Sequence, residues 1–346
     1  MGKDNMITIR RKILFGLAAF SIAMILNVTK SSAEPLNLKI SHQFPGGTID
    51  SGDFRDRLCQ KFSAEIDKKT SGALKGTVYA GSSLMKTNAQ FSALRKGALD
   101  MSLMPLNYAG GEVPETNIGL MPGLVTSYEQ ATKWKTSEAG KALAEVLASK
   151  GVIIVSWIWQ AGGVASRQGS IIDPSDAKGM KVRGGSKEMD MVLKEAGAAV
   201  LTMPSNEIYA AMQTGALDAA MTSSTSLISF RLEEVAKNLT TGRGKTYWFM
   251  LEPLMISKSV FDLLPKAQQD VIMNVGAEME KFAYEQAKAD DQAVATVYQK
   301  AGGKANDLSE ASVKKWQAIA RETAWKDYAA KSESCARIIK LAEKAL

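Results

Sequence analysis

Residues 91–105 read F-S-A-L-R-K-G-A-L-D-M-S-L-M-P, and residues 209–223 read Y-A-A-M-Q-T-G-A-L-D-A-A-M-T-S. Both patterns predict a helix that ends at a glycine, Gly97 or Gly215, followed by a strand that begins after Leu-Asp. Ala, Leu and Gly are common residues, so the shared G-A-L-D does not by itself establish a duplication. We interpret the two stretches as one structural device used twice, and we expect the two strand ends to face each other across a cleft.

Strands alternate with helices on both sides of these stretches. Short apolar or alternating runs predict strands, and apolar residues at helical spacing predict a helix over 54–70. The chain then ends in two long amphipathic patterns, 266–300 and 309–346, the second of which begins with a helix cap at Ser309. This alternation predicts an α/β fold with a largely parallel sheet, two α/β units and long C-terminal helices.

The first residues form a leader rather than part of the fold. Basic residues at 10–12 precede an apolar run of 14 residues, 13–26, and a polar stretch then ends in Ser31-Ser32-Ala33. This order is typical of a secretory signal peptide, 1–33, cleaved near Ala33. The alternative is an uncleaved anchor, but a membrane span needs about 20 apolar residues. We therefore expect an exported, periplasmic protein.

Charge and cysteine content exclude several classes of protein. The formal net charge is +7, of which the leader, with five basic residues and one acidic residue, carries +4, so the remaining chain is only +3. That charge is too small to indicate nucleic-acid binding. Cys59 and Cys335 are too far apart in sequence for a metal-binding motif. An exported chain permits a disulfide between them, and two buried free thiols are equally consistent with the pattern.

The machinery of common enzymes is absent from the sequence. His42 is the only histidine, and there is no G-x-S-x-G nucleophile motif. The stretch 240–246 ends in Gly-Lys-Thr, but Leu239 stands where a phosphate-binding loop needs glycine. No set of His, Cys and clustered carboxylates indicates a metal site. The sequence therefore favours a non-catalytic binding protein without metal or cofactor.

Arg183 is the first candidate for ligand binding. It ends a predicted strand, 179–183, that runs into Gly184-Gly185. Ligands of open α/β units collect at the carboxyl ends of strands, and a guanidinium matches a carboxylate with two parallel hydrogen bonds. The alternative is a surface arginine paired with a nearby acid, Asp173 or Asp176.

The sequence resembles the substrate-binding proteins of TRAP transporters, the dicarboxylate-receptor type of extracytoplasmic solute receptor. The resemblance covers essentially the whole chain after the leader and rests on an ordered set of motifs: K-I-S-H-Q-F-P at 39–45, L-R-K-G-A-L-D-M at 94–101, K-G-M-K-V-R at 178–183, V-L-T-M-P-S-N-E-I-Y at 200–209, A-M-Q-T-G-A-L-D at 211–218 and M-I-S-K at 255–258. It implies a two-lobed periplasmic-binding-protein-like fold with a hinge. It also implies delivery of an organic acid to TRAP membrane permease subunits.

The resemblance also assigns individual residues. The family's carboxylate-clamping arginine corresponds to Arg183, and a further family arginine corresponds to Arg167 in a shorter segment. The strand after the second G-A-L-D departs from the family's usual Gly-Gln-Glu-Asn ending, which leaves Thr222 and Ser223 as the polar candidates. A metal-using subfamily carries acidic and Trp residues where this chain has Ala220 and Met221, so we expect no metal.

Other candidate ligand contacts follow the ends of predicted strands or lie near the lobe crossings. They are Gln43 and Phe44 after the first strand, Asn107 and Tyr108 after the first G-A-L-D strand, Gln160 at the lobe crossing and Trp248 near the return. The alternative for Trp248 is packing at the hinge.

These inferences combine into a domain prediction. We expect lobe 1 at 34–158, completed by about 248–280. We expect lobe 2 at 159–247, completed by about 281–305, and a C-terminal helical segment follows at 306–346. The chain is predicted to act as a monomer that binds a small organic acid, with no catalytic residues. Two alternatives stay open: an exported isomerase or lyase acting on an organic acid, and a receptor that presents its ligand to a signalling partner.

Overall fold

Two β-sheets flanked by helices organise residues 35–345, which are the residues that the computed structural model describes. The predicted leader and its cleavage point lie outside this range. The strands, in chain order, are β1 (Leu36–His42), β2 (Leu74–Tyr79), β3 (Met101–Leu103), β4 (Val152–Ser156), β5 (Trp159–Ser166), β6 (Lys181–Arg183), β7 (Ala199–Val200), β8 (Ala219–Ser223), β9 (Asn238–Thr241), β10 (Phe249–Leu251), β11 (Leu254–Ser257) and β12 (Lys304–Asp307).

The α-helices alternate with these strands and then dominate the C-terminal part. They are α1 (Phe54–Lys69), α2 (Thr87–Arg95), α3 (Tyr128–Lys133), α4 (Glu138–Ser149), α5 (Lys187–Glu195), α6 (Ile208–Gln213), α7 (Ser224–Ser229), α8 (Lys258–Leu263), α9 (Lys266–Lys300), α10 (Glu310–Ala320), α11 (Lys326–Lys331) and α12 (Glu333–Ala345). The predicted helix over 54–70 is confirmed, and its apolar residues are buried at Phe54, Leu58, Phe62 and Ile66. The predicted cap at Ser309 is also confirmed, because its hydroxyl accepts from the Ser312 amide.

Each lobe is built on one sheet. The first sheet has five strands in the order β2-β1-β3-β11-β4, and the second has seven, in the order β12-β9-β5-β8-β6-β7 with β10 paired to β5. The sheets are mixed rather than largely parallel as predicted, since β11 is antiparallel to β3 and β4, and β5 is antiparallel to β8 and β9. The reason is that β5 and β11 enter their sheets directly from the other lobe, without the crossover helix that keeps neighbouring strands parallel.

The chain passes between the lobes at two short segments and along one long helix, 266–300. The first joins β4 to β5, and the second joins β10 to β11, and the Glu252 amide of the second donates to the Ile158 carbonyl of the first at 2.8 Å. The sequence predicted the return to lobe 1 near 248. The return falls at 252–254 instead, because Phe249–Leu251 still pair with β5 in the second sheet.

The two G-A-L-D segments are used in the same way in both lobes. Gly97 and Gly215 end their helices with positive φ angles of 69° and 77°, where a side chain would be strained. The following aspartates then accept a backbone amide from the neighbouring parallel strand at 2.8 Å, Asp100 from Lys39 and Asp218 from Lys181. Each aspartate therefore fixes the start of its strand to a neighbouring strand of the same sheet.

The longest helix connects the two lobes. Helix α9 has 35 residues, as predicted for 266–300, and spans about 50 Å at 1.5 Å per residue. It packs against α1 and β4 in the first lobe and against α7 and β5 in the second. A side chain at Gly276 would collide with the Val155 carbonyl, so glycine permits this close approach. The last helices also contact both lobes, since α10 packs on α5 and α12 packs on α4.

The two cysteines are buried as free thiols, Cys59 in α1 and Cys335 in α12. Within residues 35–345, no helix combines the length and the apolar character that a membrane span requires.

Candidate functional site

Arg183 lies at the carboxyl end of β6 and is 2% exposed. Its Nε donates to the Met203 carbonyl at 3.1 Å and its Nη1 donates to the Met221 carbonyl at 2.7 Å, both within the second lobe. Its Nη2 donates to the Tyr108 hydroxyl of the first lobe at 2.9 Å. The guanidinium is thus fixed in one orientation at the junction of the two lobes.

The positive charge of Arg183 has no direct ion-pair partner in the described part of the chain. No carboxylate among residues 35–345 lies within 4.0 Å of its nitrogens, and its hydrogen-bond acceptors are two carbonyls and a hydroxyl. The buried Asp190 is near enough to feel the charge, but its carboxylate accepts from Thr202 and burial raises its pKa. A buried charge without an opposite charge is unfavourable, so this position favours an anionic ligand.

From the first lobe, Tyr108 reaches Arg183 and Asn107 reaches the loop that follows it. The Tyr108 hydroxyl also accepts from the Ser205 amide at 3.1 Å, and the Asn107 side-chain amide donates to the Gly185 carbonyl at 2.6 Å. Both residues follow β3, and Arg183 also bonds the carbonyl of Met221 near the end of β8. The strands that follow the two G-A-L-D segments therefore lead to the same guanidinium from opposite lobes.

Trp248 lies against the same glycine-rich loop. Its indole N–H donates to the Gly184 carbonyl at 3.0 Å, and its ring occupies the space that a side chain at Gly162 would need. At 2% exposed, it packs between β5 and the loop after Arg183.

A cleft of about 830 Å³ opens beside these residues. Its walls include Asn107, Tyr108, Gly185 and Met203, of which Tyr108 and Gly185 lie directly against the Arg183 guanidinium. The Asn107 side-chain oxygen is buried and has no hydrogen-bond partner among the described residues. The cleft therefore reaches residues that contact Arg183, which does not itself line it, and one wall residue carries an unused hydrogen-bond acceptor.

A second buried polar cluster lies at the other side of the end of β8. Gln160 donates to Glu252, and Glu252 accepts from Nη1 of Arg55 at 3.2 Å. The same Arg55 nitrogen donates to the hydroxyls of Ser226, at 3.0 Å, and Ser223, at 3.4 Å. Gln160 and Ser223 were predicted from the sequence, whereas Arg55 and Glu252 were not.

The charges of this cluster explain the behaviour of Glu252. Arg55 is already held by both oxygens of Asp53, at 2.9 and 2.6 Å, so an ionised Glu252 would add a second negative charge to a dry interior. Burial, with a smaller contribution from Asp53, raises the pKa of Glu252 to about 7 against the opposing effect of Arg55. The sequence carried a signal for Glu252, since it is the only charged residue in the apolar run W-F-M-L-E-P-L-M-I.

The remaining predicted residues have different surroundings. Gln43 is 1% exposed, and its side-chain oxygen accepts from Thr87 at 3.4 Å, whereas its nitrogen has no partner among the described residues. The Phe44 ring lies 3.5 Å below the Arg55 guanidinium. Thr222 is buried in β8 between Met221 and Ser223, which contact the two arginines.

Arg167 is not brought together with the other residues. It is exposed just after the far end of β5, where its amide donates to the Asp218 carbonyl at the start of β8. Because β5 and β8 are antiparallel, the end of β5 lies at the opposite edge of the sheet from Thr222 and Ser223. The described residues also contain no group of three His, Cys, Asp or Glu side chains placed to hold a metal ion.

The fold and the site define a class of protein: two α/β lobes, joined at short crossings, with polar groups of both lobes meeting at their interface. Residues 51–332 match the family model for "Bacterial extracellular solute-binding protein, family 7". The chain belongs to this family. It is therefore a solute-binding protein rather than an enzyme, and the family is extracytoplasmic.

Individual relatives agree with this assignment. A solute-binding protein from Albidiferax ferrireducens is 67% identical over 331 residues, which cover 96% of this chain and 97% of the relative. The C4-dicarboxylate-binding periplasmic protein DctP of Rhodobacter capsulatus is 27% identical over 84% of each chain. Among solved structures, a TRAP periplasmic solute binding protein from Rhodoferax ferrireducens, with bound malonate, is 70% identical with a TM-score of 0.88, covering 89% of this chain and 98% of that one. The chain is thus a TRAP-type solute receptor.

Proposed function

We propose that this protein binds a small organic acid between its lobes in the periplasm, with one carboxylate of the acid on Arg183, and delivers it to TRAP membrane permease subunits. The observation that carries the proposal is the buried Arg183 guanidinium without an ion-pair partner in the described part of the chain. The malonate in the structure of the Rhodoferax ferrireducens relative supports a short dicarboxylic acid as the ligand.

The hydrogen-bonding capacity of Arg183 fits this role. A guanidinium has five N–H donors, one on Nε and two on each terminal nitrogen. The bonds to Met203, Met221 and Tyr108 use one donor of each nitrogen. One N–H on each terminal nitrogen is left for an anionic ligand, and a carboxylate can accept from two N–H groups of one guanidinium.

The rest of the acid would form hydrogen bonds with buried polar groups of the first lobe and of β8. Asn107 and Gln43 each carry a buried polar atom without a partner among the described residues, an acceptor on Asn107 and a donor on Gln43. Thr222 lies in β8 immediately after the carbonyl that Arg183 contacts. We include these residues in the proposed site and leave Arg167 out, because it lies at the far edge of the second sheet.

Lobe closure would allow the permease to distinguish the ligand-bound protein from the ligand-free protein. Tyr108 of the first lobe and Arg183 of the second lobe bond to each other, so a ligand at this junction contacts both lobes at once. A ligand that bridges two lobes stabilises the closed arrangement, which is the form that a permease can distinguish from the open one.

A thermal-shift panel tests the proposal. We expect malonate and close diacids to raise the Tm of the wild-type protein, since a ligand at 100 times its Kd adds about 2.7 kcal/mol of stability. The Arg183→Gln variant should lose this shift, and Arg167→Gln, which removes an exposed arginine of the same lobe, should keep it. The proposal is wrong if no organic acid stabilises the wild type, or if Arg183→Gln responds like the wild type.

A further inference from the structure

Arg55 hydrogen-bonds to groups in three parts of the molecule: the first lobe, the second lobe and a segment that joins them. It is the second residue of α1 in the first lobe and is 0% exposed. Its Nη1 donates to the Ser226 hydroxyl at 3.0 Å and to the Ser223 hydroxyl at 3.4 Å, both in the second lobe. The same nitrogen donates to Glu252 in the segment between β10 and β11.

The first lobe holds the Arg55 side chain firmly. Asp53 accepts from Nε at 2.9 Å and from Nη2 at 2.6 Å, which is a bidentate ion pair between fully buried groups. The Phe44 ring covers one face of the guanidinium at 3.5 Å. Bidentate geometry and stacking fix the orientation of a guanidinium, so Arg55 presents Nη1 toward the second lobe before any contact forms.

The contact with the second lobe is of a weaker kind. Ser223 and Ser226 are neutral hydroxyls, which bind a guanidinium less strongly than a carboxylate does. They lie at the end of β8 and in the first turn of α7. A strong attachment on one lobe and a releasable attachment on the other is the arrangement that a reversible closure requires.

The position of these serines relates Arg55 to the ligand site. Ser223 is two residues after Met221, whose carbonyl accepts from Arg183 at 2.7 Å. Two buried arginines, one from each lobe, therefore bond groups within the last three residues of β8. A shift of the end of β8 on loss of the Arg55 contacts would therefore also shift the carbonyl that positions Arg183.

We propose that Arg55 is an interlobe latch, a positioning residue that holds the end of β8 and α7 against the first lobe and thereby slows the release of bound solute. The effect on release rests on the proposed function, whereas the effect on lobe closure does not. Glu252 lies at the crossing segments, where its amide also binds the Ile158 carbonyl. The latch thus joins both lobes and the hinge at one guanidinium.

The test uses Ser226→Ala and Arg55→Lys in the full-length mature protein. Ser226→Ala leaves Arg55 and its carboxylate partners intact and removes one hydroxyl of the second lobe, which accepts from Arg55 and from the Ser223 hydroxyl. It keeps the test valid if changes at Arg55 impair folding. Thr225→Ala is the matched control, because this neighbouring hydroxyl of α7 donates to Asp290 of α9 rather than contacting Arg55. Arg55→Lys retains the charge and loses the forked geometry.

Two measurements test the effect of the latch on lobe closure and its effect on ligand release separately. Small-angle scattering of the ligand-free protein should give a larger radius of gyration for Ser226→Ala and Arg55→Lys than for the wild type and Thr225→Ala. Stopped-flow release of malonate should be about five- to tenfold faster in the same two variants, which is the scale of one hydrogen bond.

Each outcome decides one of the two proposals. Wild-type dimensions and wild-type release rates in both latch variants would overturn the latch. Absence of malonate or other acid binding to the wild type would overturn the proposed function alone, because the scattering comparison still decides whether Arg55 holds the lobes together. Equal changes in Thr225→Ala and Ser226→Ala would also count against the latch, since they would reflect loss of α7 packing.

Discussion

Arg183 of the second lobe donates to the Tyr108 hydroxyl of the first lobe at 2.9 Å, and the same hydroxyl accepts from the Ser205 amide at 3.1 Å. One phenol oxygen therefore ties two groups of the second lobe to the first. This junction is the point at which we expect solute binding and lobe closure to be coupled, and it leads to the first prediction.

Removing the Tyr108 hydroxyl should weaken ligand binding without removing the charge. In Tyr108→Phe, a buried N–H of Arg183 and the Ser205 amide lose their acceptor, which costs about 1–3 kcal/mol. We expect an approximately tenfold higher Kd for malonate, measured by calorimetry, and a lower Tm. Tyr209→Phe is the control, because that hydroxyl donates to Glu234 at the surface, and it should bind as the wild type does. Equal affinities of the two variants would contradict the role of Tyr108.

Gly185 should be required for the position of the Arg183 side chain. Its φ is +100°, and an added Cβ would lie 2.7 Å from Nη1 of Arg183. Gly185→Ala should therefore lose both stability and at least about tenfold in affinity, because the guanidinium must move. Gly179→Ala is the matched control, since its φ of +77° is also positive but its Cβ would meet no atom within 4 Å. It should lose stability and keep its affinity, and the opposite pattern would refute the argument.

The two aspartates of the G-A-L-D segments should contribute equally to stability. Asp100→Ala and Asp218→Ala each leave a strand amide without its side-chain acceptor, so we expect each to lower the free energy of unfolding by about 1–2 kcal/mol in urea denaturation. Asp262→Ala removes only an exposed ion pair with Lys258 and should cost less than 0.5 kcal/mol, on the scale of about 0.3–0.5 kcal/mol for such pairs. A small effect at either G-A-L-D aspartate would mean that the device is not used twice.

Glu252 should make stability depend on pH. Burial raises its folded-state pKa from 4.5 to about 7, so the protonated form favours the folded state. Its contribution is fully present below about pH 4.5 and is lost as the pH rises through about 7. Glu252→Gln copies the protonated group, so its Tm relative to the wild type should be more favourable at pH 8 than at pH 5.

The pH experiment has an internal comparison. Burial also raises the pKa of Asp291, to about 6, so some pH dependence of the same sign remains in Glu252→Gln. Asp291→Asn should reduce that remaining part. A Tm difference between Glu252→Gln and the wild type that stays constant from pH 5 to pH 8 would contradict the assignment.

The sequence predicted the parts of the site that depend on local pattern. Arg183 ends a short strand and precedes two glycines, and the end of β8 follows its own G-A-L-D segment. Because β6 and β8 are parallel neighbours, their carboxyl ends lie at the same edge of the sheet. The continuous helix 266–300 could also be predicted from the sequence, because its apolar spacing is uninterrupted and Gly302 follows its end.

The parts that were missed depend on contacts between distant segments. Arg55 lies two residues after a helix-capping aspartate, a position that in isolation predicts an exposed first turn. It is buried because groups of the first lobe, the crossing segment and the second lobe all pack around its guanidinium. Arg167 shows the opposite case, in which closeness in sequence does not mean closeness in the fold. It is near the predicted site in sequence, but the antiparallel direction of β5 carries it to the far edge of the sheet.

The most direct test of the central claim is isothermal titration calorimetry of malonate against the wild type and Arg183→Gln at one ionic strength. We expect one site per wild-type chain and at least about 100-fold weaker binding in the variant, on the scale of a lost charged pair of hydrogen bonds. Binding of malonate by Arg183→Gln with the wild-type Kd would contradict the claim.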